Sequence, residues 1–225
     1  MSRHLLALLA LLLLSLALAA LALGRAPELV VRQEFADAPA PPLAEGRRLS
    51  QTIVAAADDL AFIELLLGTY MTTPDGQLNV TLRLLGAPDG TAVTLAEWVL
   101  PGGRIEDNEW RRFHLPWPRD VPAGSVLEME LYRDEPGGRP VTVWTGTGDP
   151  YPPGELTVRE ADGTVTAGGS DMAFRAGYRR SRTEAARARL QSTGLPVPVA
   201  GSLLVGLFAL PMAFIYTYRL VLAER

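Results

Sequence analysis

The chain has 225 residues, 21 basic and 25 acidic, for a formal net charge of −4. That balance argues against a nucleic-acid binder, which would present a basic face. No cysteine occurs, so disulfides, thiolate metal sites and cysteine nucleophiles are excluded. The length allows two membrane segments and one domain of about 150 residues.

Residues 1–4 form a short start with one basic side chain, Arg3. The run Leu5–Gly24 then carries no charge over 20 residues. About 20 apolar residues in a helix span a bilayer core. Two readings stay open for residues 5–24. One is a cleaved secretory signal with small-residue sites at Ala17-Leu18-Ala19 or Ala20-Leu21-Ala22. The other is an uncleaved transmembrane anchor, favoured by a run longer than the usual signal core. In both, residues 1–4 are cytoplasmic and the chain beyond Arg25 is exported.

Residues 26–180 read as an extracytoplasmic β-sandwich or jelly roll of about eight to ten strands. Candidate strands are Glu28–Phe35, Leu49–Ala55, Ala61–Tyr70, Gln77–Leu85, Ala92–Leu100, Trp110–Leu115, Val126–Tyr132, Val141–Thr145, Glu155–Val158 and Met172–Tyr178. Leu78, Val80, Leu82 and Leu84 alternate with polar residues. Leu127, Met129 and Leu131 alternate with Glu128 and Glu130, and Val126 is out of phase. Period two marks a strand buried on one face. Pro74-Asp75-Gly76, Pro88-Asp89-Gly90, Pro101-Gly102-Gly103, Pro136-Gly137-Gly138 and Asp162-Gly163 supply turn chemistry between them. Pro39-Ala40-Pro41-Pro42 reads as a loop, and Asp58-Asp59-Leu60 as one helical turn.

Residues 181–194 read as a juxtamembrane helix, with its Ala- and Arg-rich part at Ser181–Gln191. Residues 197–218 carry no charge over 22 positions and read as a second transmembrane helix, with Tyr216 and Tyr218 at its interface. Residues 219–225 form a cytoplasmic tail. Arg179, Arg180, Arg182, Arg187 and Arg189 precede this span on the exported side, where they face solvent, anionic lipid heads or an acidic partner.

Catalytic groups are sparse. His4 belongs to the amino-terminal start and His114 to a strand. HExxH, GxSxG and P-loop motifs are absent from the sequence. Asp58, Asp59, Asp89, Glu106, Asp107, Asp149 and Asp171 are plentiful carboxylates, most in turns where Asp caps backbone groups. A glycosidase needs two such groups across a cleft, and Asp107 and Asp171 would be its candidates. Calcium would also suit carboxylates in sandwich loops, but no ligand set is defined. No cofactor and no metal site is expected. Among the aromatics, Trp98 and Trp144 read as core. Trp117 and Tyr151, beside prolines, and Tyr70 are the candidates for stacking on a sugar face.

Several stretches resemble a jelly-roll, carbohydrate-binding-like module of bacterial membrane proteins. They are Leu49-Ser50-Gln51-Thr52, Ile63-Glu64-Leu65-Leu66-Leu67-Gly68-Thr69-Tyr70, Asp107-Asn108, Val141-Thr142-Val143-Trp144, Asp149-Pro150-Tyr151, Gly154-Glu155-Leu156 and Asp171-Met172-Ala173-Phe174. Such modules occur between membrane helices or fused to membrane proteins associated with surface-polysaccharide assembly. The resemblance covers roughly residues 33–178 and carries no binding residues over. It implies a non-enzymatic accessory module at the bacterial inner membrane, which binds envelope polysaccharide or positions a membrane-embedded partner protein, with lipid as its other contact. Two alternatives remain: a structural subunit of a larger membrane complex, and a glycoside-active enzyme.

Overall fold

The computed structural model describes residues 13, 15, 17, 19, 20, 24–86, 91–116, 121–134 and 138–185. Two compact units divide the chain, residues 27–179 and the two ends together. Both apolar runs lie almost wholly outside the described residues. Residues 13, 15, 17, 19 and 20 of the first run are helical. Among the described residues no helix is long and apolar enough to cross a membrane.

The described residues contain thirteen strands in two sheets. They are β1 (Arg25–Gln33), β2 (Ala38–Pro39), β3 (Arg48–Val54), β4 (Leu60–Gly68), β5 (Gln77–Leu84), β6 (Val93–Pro101), β7 (Glu109–His114), β8 (Val126–Tyr132), β9 (Thr142–Thr147), β10 (Leu156–Arg159), β11 (Val165–Ala167), β12 (Ser170–Met172) and β13 (Phe174–Ser181). One sheet has the order β1-β13-β4-β9-β12, with β2 paired to β9 and β7 paired to β4. The other has the order β11-β10-β3-β8-β5-β6. Between β3 and β10 the chain changes sheet at almost every connection, the β5–β6 hairpin excepted. This is the two-sheet, jelly-roll-like architecture anticipated from turn spacing, with thirteen strands in place of about eight to ten: β2 and β11 are additional, and one expected strand is split into β12 and β13.

The alternating residues behave as their period requires. Leu127, Met129 and Leu131 are fully buried, while Val126 is exposed. Leu78, Val80 and Leu82 join Leu49, Ile53, Ile63, Leu65, Leu67, Phe113 and Phe174 in one core between the sheets. β4 is buried along nearly its whole length, because it lies inside its sheet and both of its faces are covered.

Three local expectations are corrected. Pro39-Ala40-Pro41-Pro42 is not a free loop. Ala38 and Pro39 pair with Thr145 and Trp144, and the Ala40 and Leu43 amides donate to the Val143 and Val141 carbonyls at 2.9 and 2.8 Å. Proline is tolerated there because it sits at a sheet edge. Asp58-Asp59-Leu60 is a bend rather than a helical turn. Asp59 takes φ of 59°, and the Asp58 carboxylate accepts the Ala123 amide at 2.7 Å. The single strand drawn at Met172–Tyr178 is two, since Ala173 separates β12 from β13. Of the helix expected at Ser181–Gln191, Ser181 instead ends β13, residues 182–185 are helical, and residues 186–191 lie outside the described residues.

Candidate functional site

A small pocket of about 200 Å³ opens on the outer side of β9, lined by Pro39, Gly68, Tyr70, Asp107, Asn108, Thr142 and Trp144. Each wall has a local cause. Trp144 stands on β9 opposite Pro39 of β2, so the short edge strand forms one rim. Gly68 ends β4 opposite Thr142 and supplies the floor. A Cβ at Gly68 would lie 3.1 Å from Thr142 Cγ2 and 3.3 Å from Trp144 Nε1, so glycine lets the indole settle onto the strand. Thr69 and Tyr70 open the loop after β4, and Asp107-Asn108 precede β7.

A chain of hydrogen bonds fixes the polar side. The Thr69 amide donates to Asp107 Oδ1 at 2.5 Å. Asn108 Nδ2 donates to Asp107 Oδ2 at 3.1 Å, and Trp144 Nε1 donates to Asn108 Oδ1 at 2.7 Å. The indole is thereby held by a relay that ends on the backbone of the Tyr70 loop. Asn108 reaches this geometry with φ of 59°, and Tyr70 and Met71 take φ of 53° and 59°. Left-handed backbone costs a non-glycine residue of order 1–3 kcal/mol and gathers at functional sites. Three of the five such non-glycine residues among the described ones lie in these two loops. The same loop exposes Tyr70 at 44% and Met71 at 92%.

The sequence-predicted residues do not converge on this pocket. Tyr70 lines it. Tyr151 lies elsewhere, half-buried, with its ring edge-on to Phe174 at 4.9 Å. Its hydroxyl accepts the Val54 amide at 3.1 Å and donates to the Val54 carbonyl at 3.3 Å. Burial raises the pKa of that phenol. Trp117 falls outside the described residues, as do Arg187 and Arg189. Arg179 and Arg180 are half-buried on β13, and Arg182 is exposed. Trp98, read as core, is half-buried: it packs against the core, tilted on Phe113 at 5.4 Å, and its Nε1 donates to the His114 carbonyl at 3.0 Å. Trp144 is the correction among the tryptophans: it is half-buried and walls the pocket instead of entering the core. Period two assigns it to the face opposite Val143, and only the tertiary structure shows that face partly open.

The two carboxylates weighed for glycoside chemistry serve different structures. Asp107 anchors the relay above. Asp171 is 1% exposed. It accepts Gln51 Nε2 at 2.8 Å and the Tyr151 amide at 2.9 Å, which joins the two sheets. Burial raises its pKa, the hydrogen bonds from Gln51 and Tyr151 oppose that rise, and the nearby Asp149 charge adds to it. Among the described residues no group of three or more His, Asp or Glu side chains is arranged to hold a metal ion.

No family model matches the sequence, and no curated protein matches it. Among solved structures, the chain is similar to the D431N mutant VP2 protein of infectious bursal disease virus, in derived T=1 particles. The identity is 17%, the TM-score is 0.30, and the match covers 68% of this chain and 39% of that one.

Proposed function

We propose that this protein is a non-enzymatic, membrane-anchored accessory module whose extracytoplasmic sandwich binds glycan in envelope polysaccharide assembly at the bacterial inner membrane. The binding site is the Tyr70–Trp144 pocket. One observation carries this reading: backbone strain at Tyr70, Met71 and Asn108 is concentrated in the two loops that hold an aromatic pair beside a fixed carboxylate and amide. Aromatic faces supply the apolar contact a sugar ring needs, and the polar pole receives its hydroxyls. The pocket is smaller than the roughly 300–1,000 Å³ of a drug-sized site. That suits one ring of a longer chain and weak, repeated recognition.

The test is a glycan array with the full-length protein in detergent, followed by titration of the best ligand. Tyr70→Ala and Trp144→Ala should each weaken binding about tenfold or more, equivalent to about 1.4 kcal/mol. Tyr151→Phe should leave it unchanged. A ligand whose affinity ignores both pocket variants would refute the assignment.

A further inference from the structure

The charge and hydrogen-bond state of this pocket define which sugars it takes, and the inference rests on the glycan reading above. Among the described residues that line the pocket, Asp107 is the only charged side chain. No Arg is among the described lining residues, although Arg is the residue that recognises carboxylates in pairs of hydrogen bonds. Three donors at its polar end each make a bond within the site, and the Asn108 amide group keeps a second N–H. The Thr69 amide and Asn108 Nδ2 both donate to Asp107, and Trp144 Nε1 donates to Asn108 Oδ1. The lining is almost wholly apolar, and its polar end is formed by the Asp107 and Asn108 side chains. The remaining walls are Pro39, Gly68, Thr142 and the two aromatic rings.

We propose that the pocket selects uncharged sugar rings, whose hydroxyls donate to Asp107 and Asn108, and rejects uronic acids. A ligand carboxylate there would meet the like charge of Asp107, with no cation among the described lining residues to offset it. Selectivity of this kind works by repulsion of the wrong ligand as much as by attraction of the right one. Rejecting the anion needs no residue beyond those the relay already uses.

The experiment titrates the full-length protein in detergent with matched methyl glycosides of glucose and glucuronic acid, galactose and galacturonic acid, and mannose and mannuronic acid. Tryptophan fluorescence and ligand-observed NMR report binding. In at least one pair the neutral glycoside should bind at least about tenfold more tightly at low salt, and the gap should narrow as salt screens the repulsion. Pro39→Arg, which places a cation on the exposed rim, should shift the uronate-to-neutral affinity ratio toward the uronate by about fivefold or more. Equal or tighter binding of the uronate in every pair that binds overturns the charge selection and leaves the glycan reading standing. So does a Pro39→Arg variant that folds with the wild-type circular dichroism spectrum yet leaves the ratio unmoved. If no member of any pair binds, the glycan reading falls and the selection falls with it.

Discussion

Gln51 shows how one side chain joins the two sheets. Its amide nitrogen donates to Asp171 Oδ1 at 2.8 Å and to the Thr52 carbonyl at 3.1 Å, and its oxygen accepts the Met172 amide at 2.9 Å. Gln51 and Asp171 are each 1% exposed, so neither finds water as a substitute partner. Gln51→Leu keeps the bulk but strands a buried carboxylate oxygen and a buried amide. At about 1–3 kcal/mol per stranded group, a loss on the order of 3 kcal/mol is expected in urea unfolding followed by tryptophan fluorescence. Asp171 also gives a pH signature. Burial raises its folded pKa above the unfolded value of 3.8, so the native state holds the proton more tightly than the unfolded chain. Its contribution to stability is therefore greatest at acid pH and is lost as pH rises from about that unfolded value through the raised one. The stability advantage of wild type over Asp171→Asn should shrink as pH climbs across that window. An advantage that grows with pH would contradict the assignment. Asp37 acts with the opposite sign, since the Thr147 hydroxyl and amide lower its pKa.

At the scale of elements, β4 explains both what the sequence discloses and what it hides. Its residues Leu60–Gly68 are apolar enough to mark a strand, but they show no alternation from which a core face could be read. Ile63, Leu65 and Leu67 enter the core. Phe62 and Glu64 face the other way, yet they too are buried, because side chains from neighbouring strands close over them. The Arg112 guanidinium lies 4.1 Å from the centre of the Phe62 ring and pairs with Glu64 at 2.8 Å. Arg175 lies 3.9 Å over Trp110 and pairs with Glu34 at 2.7 Å. The Phe62 ring occupies the space a Cβ at Gly177 would need. Gly177→Ala should therefore cost about 1–3 kcal/mol through overpacking. Gly103→Ala, with nothing within 4 Å of the added carbon, should be nearly neutral. Equal effects of the two substitutions in thermal unfolding would remove the packing argument. Period-two patterning thus makes β5 and β8 legible outright, whereas β2, β11 and the outer cover of β4 depend on partners distant in sequence. The pocket is hidden for the same reason. Tyr70 stands out as a loop aromatic, but Trp144 looks like core until Pro39, Gly68 and Asn108 are brought beside it.

At the scale of the molecule, the solvent around the two uncharged runs decides where the sandwich is held. Residues 5–24 and 197–218 are each 20 or more residues long without a charge. A helix apolar on every side needs lipid or a large protein interior around it. The sandwich core already packs β-sheet side chains such as Leu49, Ile63, Leu127 and Phe174 against one another. Each Leu at a helix centre favours insertion by about 0.3–0.6 kcal/mol, which is the basis for expecting the Leu-rich runs to insert. The full chain should accordingly stay with membranes through alkaline carbonate washing and leave only with detergent. Deleting residues 197–225 then separates the two readings of the amino-terminal run. Retention of the truncated chain in the membrane, with an uncleaved mass, makes that run an anchor. Release with a mass shortened near residue 19 or 22 makes it a cleaved signal, and the second run the sole attachment. If the intact chain washes free in carbonate, lipid is not the solvent for either run, and the proposed site at the envelope loses its anchor.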